Sequence, residues 1–219
     1  MQSITLIADF LLGLKKNKMK LFRTLTLLYT ILLATAVFAQ EAQWALVKES
    51  DQVKLYTRSV EGSDYIAVKA VARINAPFLA VTQVMGDGEA CSQWRKLCKS
   101  SLVFNKQADT ERYIYMVLDM PWPLADRDMV IHSQATTNFD NKTLIVDLQP
   151  ASQSYPMQDY IRAESAGSYQ ITALNEELME FSWIMHTHLG GDVSPAMINK
   201  RLASTTYEDV MRLVSLAEQ

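Results

Sequence analysis

The stretch MPWPLADRDMV (residues 120–130) stands between two segments that read as β-strands. Its two prolines flank Trp122, and because proline donates no ladder hydrogen bond, they end the first strand. Arg127 follows between two aspartates, and apolar residues then resume at once. Alternation along the second strand places Arg127 and Met129 on one face, with the aspartate between them on the other. The stretch therefore predicts a sharp turn with three charges at the start of the next strand.

The segments around this turn read as a run of short strands. Their compositions are rich in β-branched and aromatic residues, and turn residues such as Asp140-Asn141 separate them. The connections are too short for parallel crossovers, so neighbouring strands are expected to be antiparallel. The strand segments are VKLYTRSV (53–60), YIAVKAVARI (65–74), SLVFNKQ (101–107), ERYIYMVLDM (111–120), DMVIHSQATTNF (128–139), TLIVDLQPAS (143–152), YIRAESAGSYQITAL (160–174) and LMEFSWIMHTHL (178–189).

The chain ends in a long predicted helix. Ser194 and Pro195 suit its N-cap and first position. Its apolar residues recur at three- and four-residue spacing and form a face too wide for a helix on a solvated surface. The fold class predicted is α+β, with a curved antiparallel sheet around this helix and a cavity between them. The predicted face comprises Ala196, Ala203, Tyr207, Val210, Val214 and Ala217, and Ile198, Leu202, Leu213 and Leu216 widen it.

Two further helices are predicted before the cysteines. Residues 41–50 read as a short helix that contributes Trp44 and a Leu-Val pair to the core. The segment NAPFLAVTQVM (75–85) reads as a second helix, with Asn75 as its N-cap and Gly86 beyond its end.

The amino terminus has the layout of a secretory signal peptide. A positively charged segment that starts at Met19 precedes an apolar run over residues 24–36. Small residues then form a cleavage site whose last residue is Ala39. The apolar run is shorter than the roughly 20 residues that span a bilayer, which favours cleavage over an uncleaved anchor. We therefore expect residues 1–39 to be a signal region, residues 40–219 to be one mature domain, and the protein to be exported, to a periplasm-like compartment.

Composition restricts the classes of partner. The 219 residues are 49% hydrophobic and 21% charged, with a formal net charge of −3. No basic block appears, so nucleic acid is not an expected partner. Cys91 and Cys98 are the two cysteines, and an even, closely spaced pair in an exported protein predicts one disulfide.

Five segments together resemble the StAR-related lipid-transfer (START) domain family. MPWPLADRDMV resembles the family's Pro-x-Pro…Asp-Arg-Asp signature, and residues 44–60 look like its opening helix and first strand. Trp94 follows the first long helix, Arg162 matches the arginine of a Val-Arg-small strand, and residues 188–203 look like the entry to the last helix. His188-Leu189 stand where the family usually has Asp-Pro, and the cysteine pair is not general to it.

The resemblance implies a helix-grip fold that binds one lipid or sterol-like molecule between sheet and helix, with transient membrane contact and without a cofactor, metal or catalytic residue. Transfer of that molecule between membranes and mere sensing of it both stay open as roles. The predicted cavity residues are Arg162, Arg127, Met129, Trp122, Met120, Met197 and Val210.

The two arginines have competing interpretations. Arg127 either fixes a lipid head group or clamps a strand end to neighbouring carboxylates, and the flanking acids favour the clamp, since burying an unpaired arginine is costly. Arg162 is the better candidate for contact with ligand, although a structural role is equally open.

Three alternatives remain open. His186 and His188 share a strand face and form a metal site only if His132 or Asp192 completes it. Enzymes of the wider helix-grip superfamily, cyclases and hydrolases, suggest a cavity acid such as Asp119 as a base, on fold analogy alone. An apolar patch at Trp122 and its neighbour Leu124 also suits a non-catalytic module that binds an envelope protein.

Overall fold

A computed structural model describes residues 43–108 and 110–219. The predicted signal region therefore lies outside the described residues. The strands are β1 (Ala45–Glu49), β2 (Val53–Val60), β3 (Ser63–Ile74), β4 (Cys98–Ala108), β5 (Glu111–Leu118), β6 (Arg127–Asn138), β7 (Thr143–Pro150), β8 (Ile161–Ala173) and β9 (Met179–His188). The helices are α1 (Phe78–Gly86), α2 (Cys91–Trp94) and α3 (Pro195–Ala217), with a 3₁₀ turn at Ser152–Ser154.

The strands form one sheet in the order β1-β2-β3-β9-β8-β7-β6-β5-β4, and each of these neighbouring pairs is antiparallel. A short parallel pairing also joins β6 to β8, where Asp128 lies opposite Arg162. Short connections account for the antiparallel pairing of successive strands from β4 to β9 and from β1 to β3, as their lengths predicted, whereas β3 pairs with β9 from far along the chain. The predicted α+β architecture, a curved sheet that holds a carboxyl-terminal helix, is confirmed.

Helix α3 packs mainly against β3. The core there combines Val210 and Leu213 of the helix with small buried residues of the strand, Ala70 and Ala72. Small side chains at the contact let the helix approach the sheet closely, and the larger apolar residues fill the space on either side. This packing holds the carboxyl-terminal half of α3, while its amino-terminal half lies over the cavity described below.

The prediction of a helix over residues 41–50 is wrong, because the segment forms the edge strand β1, paired with β2. All five residues of β1 are exposed, so its apolar spacing does not reflect burial. Pairing with β2 provides hydrogen bonds for the backbone N–H and C=O groups of this segment. A helix of this length without packing partners would be only marginally stable. Trp44, just before the strand, lies under the guanidinium of Arg58 at 4.6 Å.

Helix α1 begins three residues later than its predicted cap. Pro77 occupies the N-cap position, and Gly86 is the last helical residue. Asn75 binds elsewhere: its backbone amide and its side-chain amide both donate to Glu218 Oε1, at 2.8 and 3.2 Å. This contact fastens the start of α1 to the end of α3. Across the described residues, no helix has both the length and the apolar content needed to cross a membrane.

Candidate functional site

A cavity of about 430 Å³ lies beneath the amino-terminal half of α3. Its walls come from α3, from β9, from the loop that follows α2, and from the β5–β6 connection with the start of β6. Exposed residues such as Pro121 and Ser204 mark its mouth. The volume falls within the range of about 300–1,000 Å³ typical of small-molecule sites. The apolar part of the wall consists of Leu97, Leu118, Met120, Pro121, Leu124, Met129, Trp183, Met185, Leu189, Met197, Ile198 and Leu202.

Helix α3 presents one stripe to the cavity. Ile198, Leu202, Thr205 and Asp209 line it, and their spacing of three or four residues places them on one face of the helix. Thr205 lies at the centre of this stripe. The stripe is apolar near the start of the helix and polar toward Asp209, so the two ends of the cavity differ in chemistry.

The predicted cavity residues separate into two groups. Met120, Met129 and Met197 lie on the cavity wall. Val210 is fully buried in the main core, and it is not among the lining residues. Trp122 is 91% exposed, but its neighbours Pro121 and Leu124 line the cavity, so the indole stands beside the mouth rather than inside.

Arg127 is buried and bonds to backbone carbonyls. Its guanidinium donates to the carbonyl of Ala125 and, through Nε at 3.4 Å, to the carbonyl of Leu189. It thereby ties the start of β6 to the turn between β9 and α3. In that turn Gly190 and Gly191 both have φ of +65°, and a Cβ on Gly190 would lie 2.6 Å from the Arg162 carbonyl oxygen, so the turn requires glycine.

The structural interpretation of Arg127 as a clamp agrees with this geometry, but the expected partners differ. The two flanking carboxylates bind other cations, and carbonyl oxygens receive the Arg127 donors. The Asp126 carboxylate accepts hydrogen bonds from Lys99 Nζ at 2.9 Å and from the Met120 amide at 3.1 Å. The bond to Met120 closes the loop over residues 120–126. The hydrogen bond from Lys99 is the main cause that lowers the pKa of Asp126 below its ordinary value.

Asp128 and Arg162 form a buried ion pair. Arg162 donates from Nε and Nη2 to the two oxygens of Asp128, at 2.7 and 3.0 Å. It also donates to the carbonyls of Ser152 and Pro156, which fastens the β7–β8 connection to the sheet. Alternation along β6 places Asp128 on the opposite side from Met129, which faces the cavity. Arg162 is not among the lining residues, so the prediction that it contacts ligand has no support in the geometry.

None of the five charged residues that line the cavity in the described part of the chain was predicted, and Arg95 and Asp209 are the least exposed of them. Arg95 follows α2 and stacks against Trp183, with its guanidinium carbon 5.4 Å from the ring centroid. Asp209 is 5% exposed and accepts the Lys96 amide at 2.8 Å through Oδ1. Burial lowers the pKa of Arg95, and burial raises the pKa of Asp209. Arg95 retains accessible surface despite this desolvation, because that surface faces the cavity rather than bulk water.

A second, smaller cavity of about 70 Å³ lies against the sheet. Arg95, Trp183 and Met185 line both cavities and so form the partition between them. Methionine and arginine side chains have several rotatable bonds, so this partition consists partly of adaptable side chains.

Cys91 and Cys98 form a disulfide, as predicted. The bridge closes the loop that carries three residues of the cavity wall, from Arg95 to Leu97. It therefore holds one side of the cavity in place as well as stabilising the fold.

Replacing both cysteines by serine, Cys91→Ser with Cys98→Ser, is expected to lower the free energy of unfolding by about 2–3 kcal/mol through the loss of loop constraint. For a domain of this size, that change corresponds to roughly 5–10 °C in melting temperature. Thermal unfolding of the wild type with and without reductant, and of the double variant, measures it. Reductant should not affect the double variant, and an unchanged melting temperature in that variant would contradict the prediction.

The histidines have partners other than a metal. His186 Nε2 bonds to the Ser63 hydroxyl at 3.0 Å, and His188 Nδ1 accepts the Gly190 amide at 3.3 Å. His132 bonds to Glu111. Within the part of the chain that the structure describes, no three His, Cys, Asp or Glu side chains come together as a metal site. Asp119, the acid proposed by fold analogy, is exposed and is not among the lining residues.

The fold and the cavity define a helix-grip ligand-binding domain. The START domain family model matches residues 29–218, so the chain belongs to that family. An uncharacterised protein of Pseudomonas aeruginosa is 28% identical over 194 residues, which cover 85% of this chain and 95% of the relative.

Solved structures agree on the architecture. A STAR-related lipid transfer protein from Xanthomonas axonopodis is 25% identical, with a TM-score of 0.73 over 80% of this chain and 99% of the other. Human StAR-related lipid transfer protein 5 is 11% identical, with a TM-score of 0.74 over 90% of this chain and 96% of the other. This second likeness shows the fold alone.

Proposed function

We propose that the protein binds a single lipid or similar hydrophobic molecule in the cavity beneath α3 and carries it between membranes. The observation that carries the proposal is the mainly apolar wall of this cavity, closed by α3 on one side and the sheet on the other. Membership of the START domain family and the similarity to a bacterial lipid transfer protein support the same ligand class.

The proposed role is binding rather than catalysis. Of the acids on the cavity wall, Glu208 is paired with Lys96 at 2.7 Å, and Asp209 accepts a backbone amide. Both interactions suit fixed elements of the wall. A carrier needs only shape, apolar surface and a few polar contacts to orient its cargo.

Trp122 is proposed to contact the membrane during loading. An exposed indole inserts readily at the interface between water and lipid, where its polar edge and apolar face both find partners. It stands on the loop whose Pro121 and Leu124 line the cavity mouth. Contact through this loop would place the mouth against the bilayer surface.

Replacing Trp122 by alanine should slow lipid uptake from phosphatidylcholine vesicles by roughly tenfold, because burial of a large side chain contributes about 1.5–3 kcal/mol. The amount of lipid bound at equilibrium should not change, since Trp122 lies outside the cavity. Phe139→Ala removes another exposed aromatic side chain, 82% exposed on the β6–β7 turn, and serves as the matched control.

Equal uptake rates for wild type and Trp122→Ala would contradict membrane contact through this loop. Loss of binding to a protein partner, with normal uptake, would instead favour a non-catalytic module that uses Trp122 as an interaction surface.

Export to a periplasm-like compartment is also part of the proposal. The disulfide supports it, because such bonds persist in oxidising compartments and are rare in reducing ones.

A further inference from the structure

Arg95 occupies an unusual position for a charged residue. It belongs to the partition between the two cavities, with Trp183 and Met185 as its neighbours there. Its guanidinium carbon lies 5.4 Å from the Trp183 ring centroid and 5.9 Å from that of Trp94. Stacking on aromatic rings stabilises a cation but uses none of its N–H donors.

The donors of this guanidinium are poorly satisfied. An arginine side chain carries five N–H groups. In the described part of the chain, the hydrogen bond that Arg95 makes through its side chain is to Met116 Sδ, at 3.3 Å. A thioether is a weak acceptor, and among the described residues no oxygen accepts a hydrogen bond from the Arg95 guanidinium, whose side chain lines the cavity. Hydrogen-bond donors without acceptors in a desolvated site raise the free energy of the protein. A ligand whose oxygen atoms accept from these donors offsets that cost.

The surrounding charges leave this cation available. Asp209 lies on the same wall and its charge acts on Arg95, but the two form no ion pair in the described structure, and Asp209 accepts the Lys96 amide instead. Lys96 and Glu208 pair with each other at the exposed rim, and Arg201 is exposed at the mouth. Burial raises the pKa of Asp209, so this carboxyl gives up its charge more readily than an ordinary aspartate when a second anion enters.

We propose that Arg95 binds the carboxylate of a hydrophobic monocarboxylic acid whose apolar body fills the cavity beneath α3. This inference rests on the proposed function and names its ligand class. A carboxylate offers two coplanar oxygens to the guanidinium fork, whereas an alcohol offers one and leaves other donors unpaired. A phosphate brings more anionic oxygens than this single guanidinium can satisfy, next to a second acid.

The test compares head groups on one chain length. Affinities of delipidated wild-type protein for dodecanoate, dodecanol and methyl dodecanoate are measured by displacement of a fluorescent lipid. Dodecanoate should bind roughly 10- to 100-fold more tightly than the other two, the range expected for hydrogen bonds to a charged group. Arg95→Met should remove this preference and leave the affinity for dodecanol within about threefold of wild type.

Three further variants sharpen the result. Arg95→Lys keeps the charge but not the planar fork, so its preference for dodecanoate should fall between those of wild type and Arg95→Met. Asp209→Asn removes a nearby negative charge and should strengthen dodecanoate binding. Lys200→Met removes an exposed cation of α3 that does not line the cavity, and it should leave the preference unchanged.

The outcomes separate this inference from the proposed function. Equal wild-type affinities for the acid, the alcohol and the ester would overturn the role of Arg95 and leave lipid binding in place. A preference that survives in Arg95→Met would also overturn it. If Arg95→Met does not fold, the wild-type comparison and Arg95→Lys decide. Failure of all probes to bind would reject both the inference and the carrier function.

Discussion

Replacing Arg162 by methionine is expected to destabilise the protein by about 3–5 kcal/mol, because it leaves Asp128 as an unpaired buried charge. Both carboxylate oxygens of Asp128 accept from Arg162, and the Asp128 side chain is fully buried, with that of Arg162 8% exposed. The change also removes the donors to the Ser152 and Pro156 carbonyls. Urea denaturation should show a lower midpoint with little change in the slope of the transition.

The matched control is Lys99→Met, which breaks the pair between Lys99 and Asp126. Those side chains are 53% and 21% exposed, so solvent screens the pair and the change should shift the urea midpoint far less than Arg162→Met does. Adding Asp128→Asn to Arg162→Met should restore part of the lost stability, because the buried charge is then absent. If Arg162→Met alone proved as stable as Lys99→Met, that result would contradict the assignment of the Asp128–Arg162 pair as a structural clamp.

The same variant tests the ligand contact predicted for Arg162. We expect folded Arg162→Met protein to bind lipid with wild-type affinity, since the residue is not on the cavity wall. A folded variant with specific loss of lipid binding would restore the prediction of ligand contact.

Replacing Thr205 by tryptophan should abolish lipid binding, with a loss of at least about 100-fold in affinity, while the protein stays folded. Thr205 lies at the centre of the α3 stripe that lines the cavity. An indole there occupies space that the cargo needs, and the empty cavity of about 430 Å³ accommodates it without displacing the core. Equilibrium binding of a fluorescent lipid measures the effect.

Ser215→Trp is the control for this variant. Ser215 is exposed on the same helix and does not line the cavity, so binding should remain within about twofold of wild type. Normal lipid binding by Thr205→Trp would show that the cargo occupies another part of the molecule.

The architecture could be predicted from the sequence, because strands joined by short connections and a helix with a broad apolar face can pack together in few ways. Residues 53–60 coincide with β2, and the Asp-Arg-Asp segment begins β6 as predicted. The prediction failed at β1, where an exposed edge strand lacks the burial that makes apolar spacing informative. It also placed Ala196 on the packed face of α3, where that residue is exposed, whereas Ile198 of the same predicted face is buried.

The site was harder to predict because pairing partners depend on tertiary contacts. The charges at the start of β6 suggested a cluster around Arg127. Lys99 and Arg162, which lie on other strands, form the ion pairs with the two flanking aspartates instead. Arg95 carried no motif. Its importance arises only when the disulfide-closed loop folds against Trp183, which lies far along the chain.

Native mass spectrometry of the protein, purified without detergent from its exported fraction, tests lipid binding most directly. We expect a mature chain that begins at Gln40 with one additional mass, released on denaturation and extractable into organic solvent as a lipid. Thr205→Trp prepared in parallel should lack that mass. A wild-type protein that carries no added mass and takes up none from vesicles would contradict the carrier function.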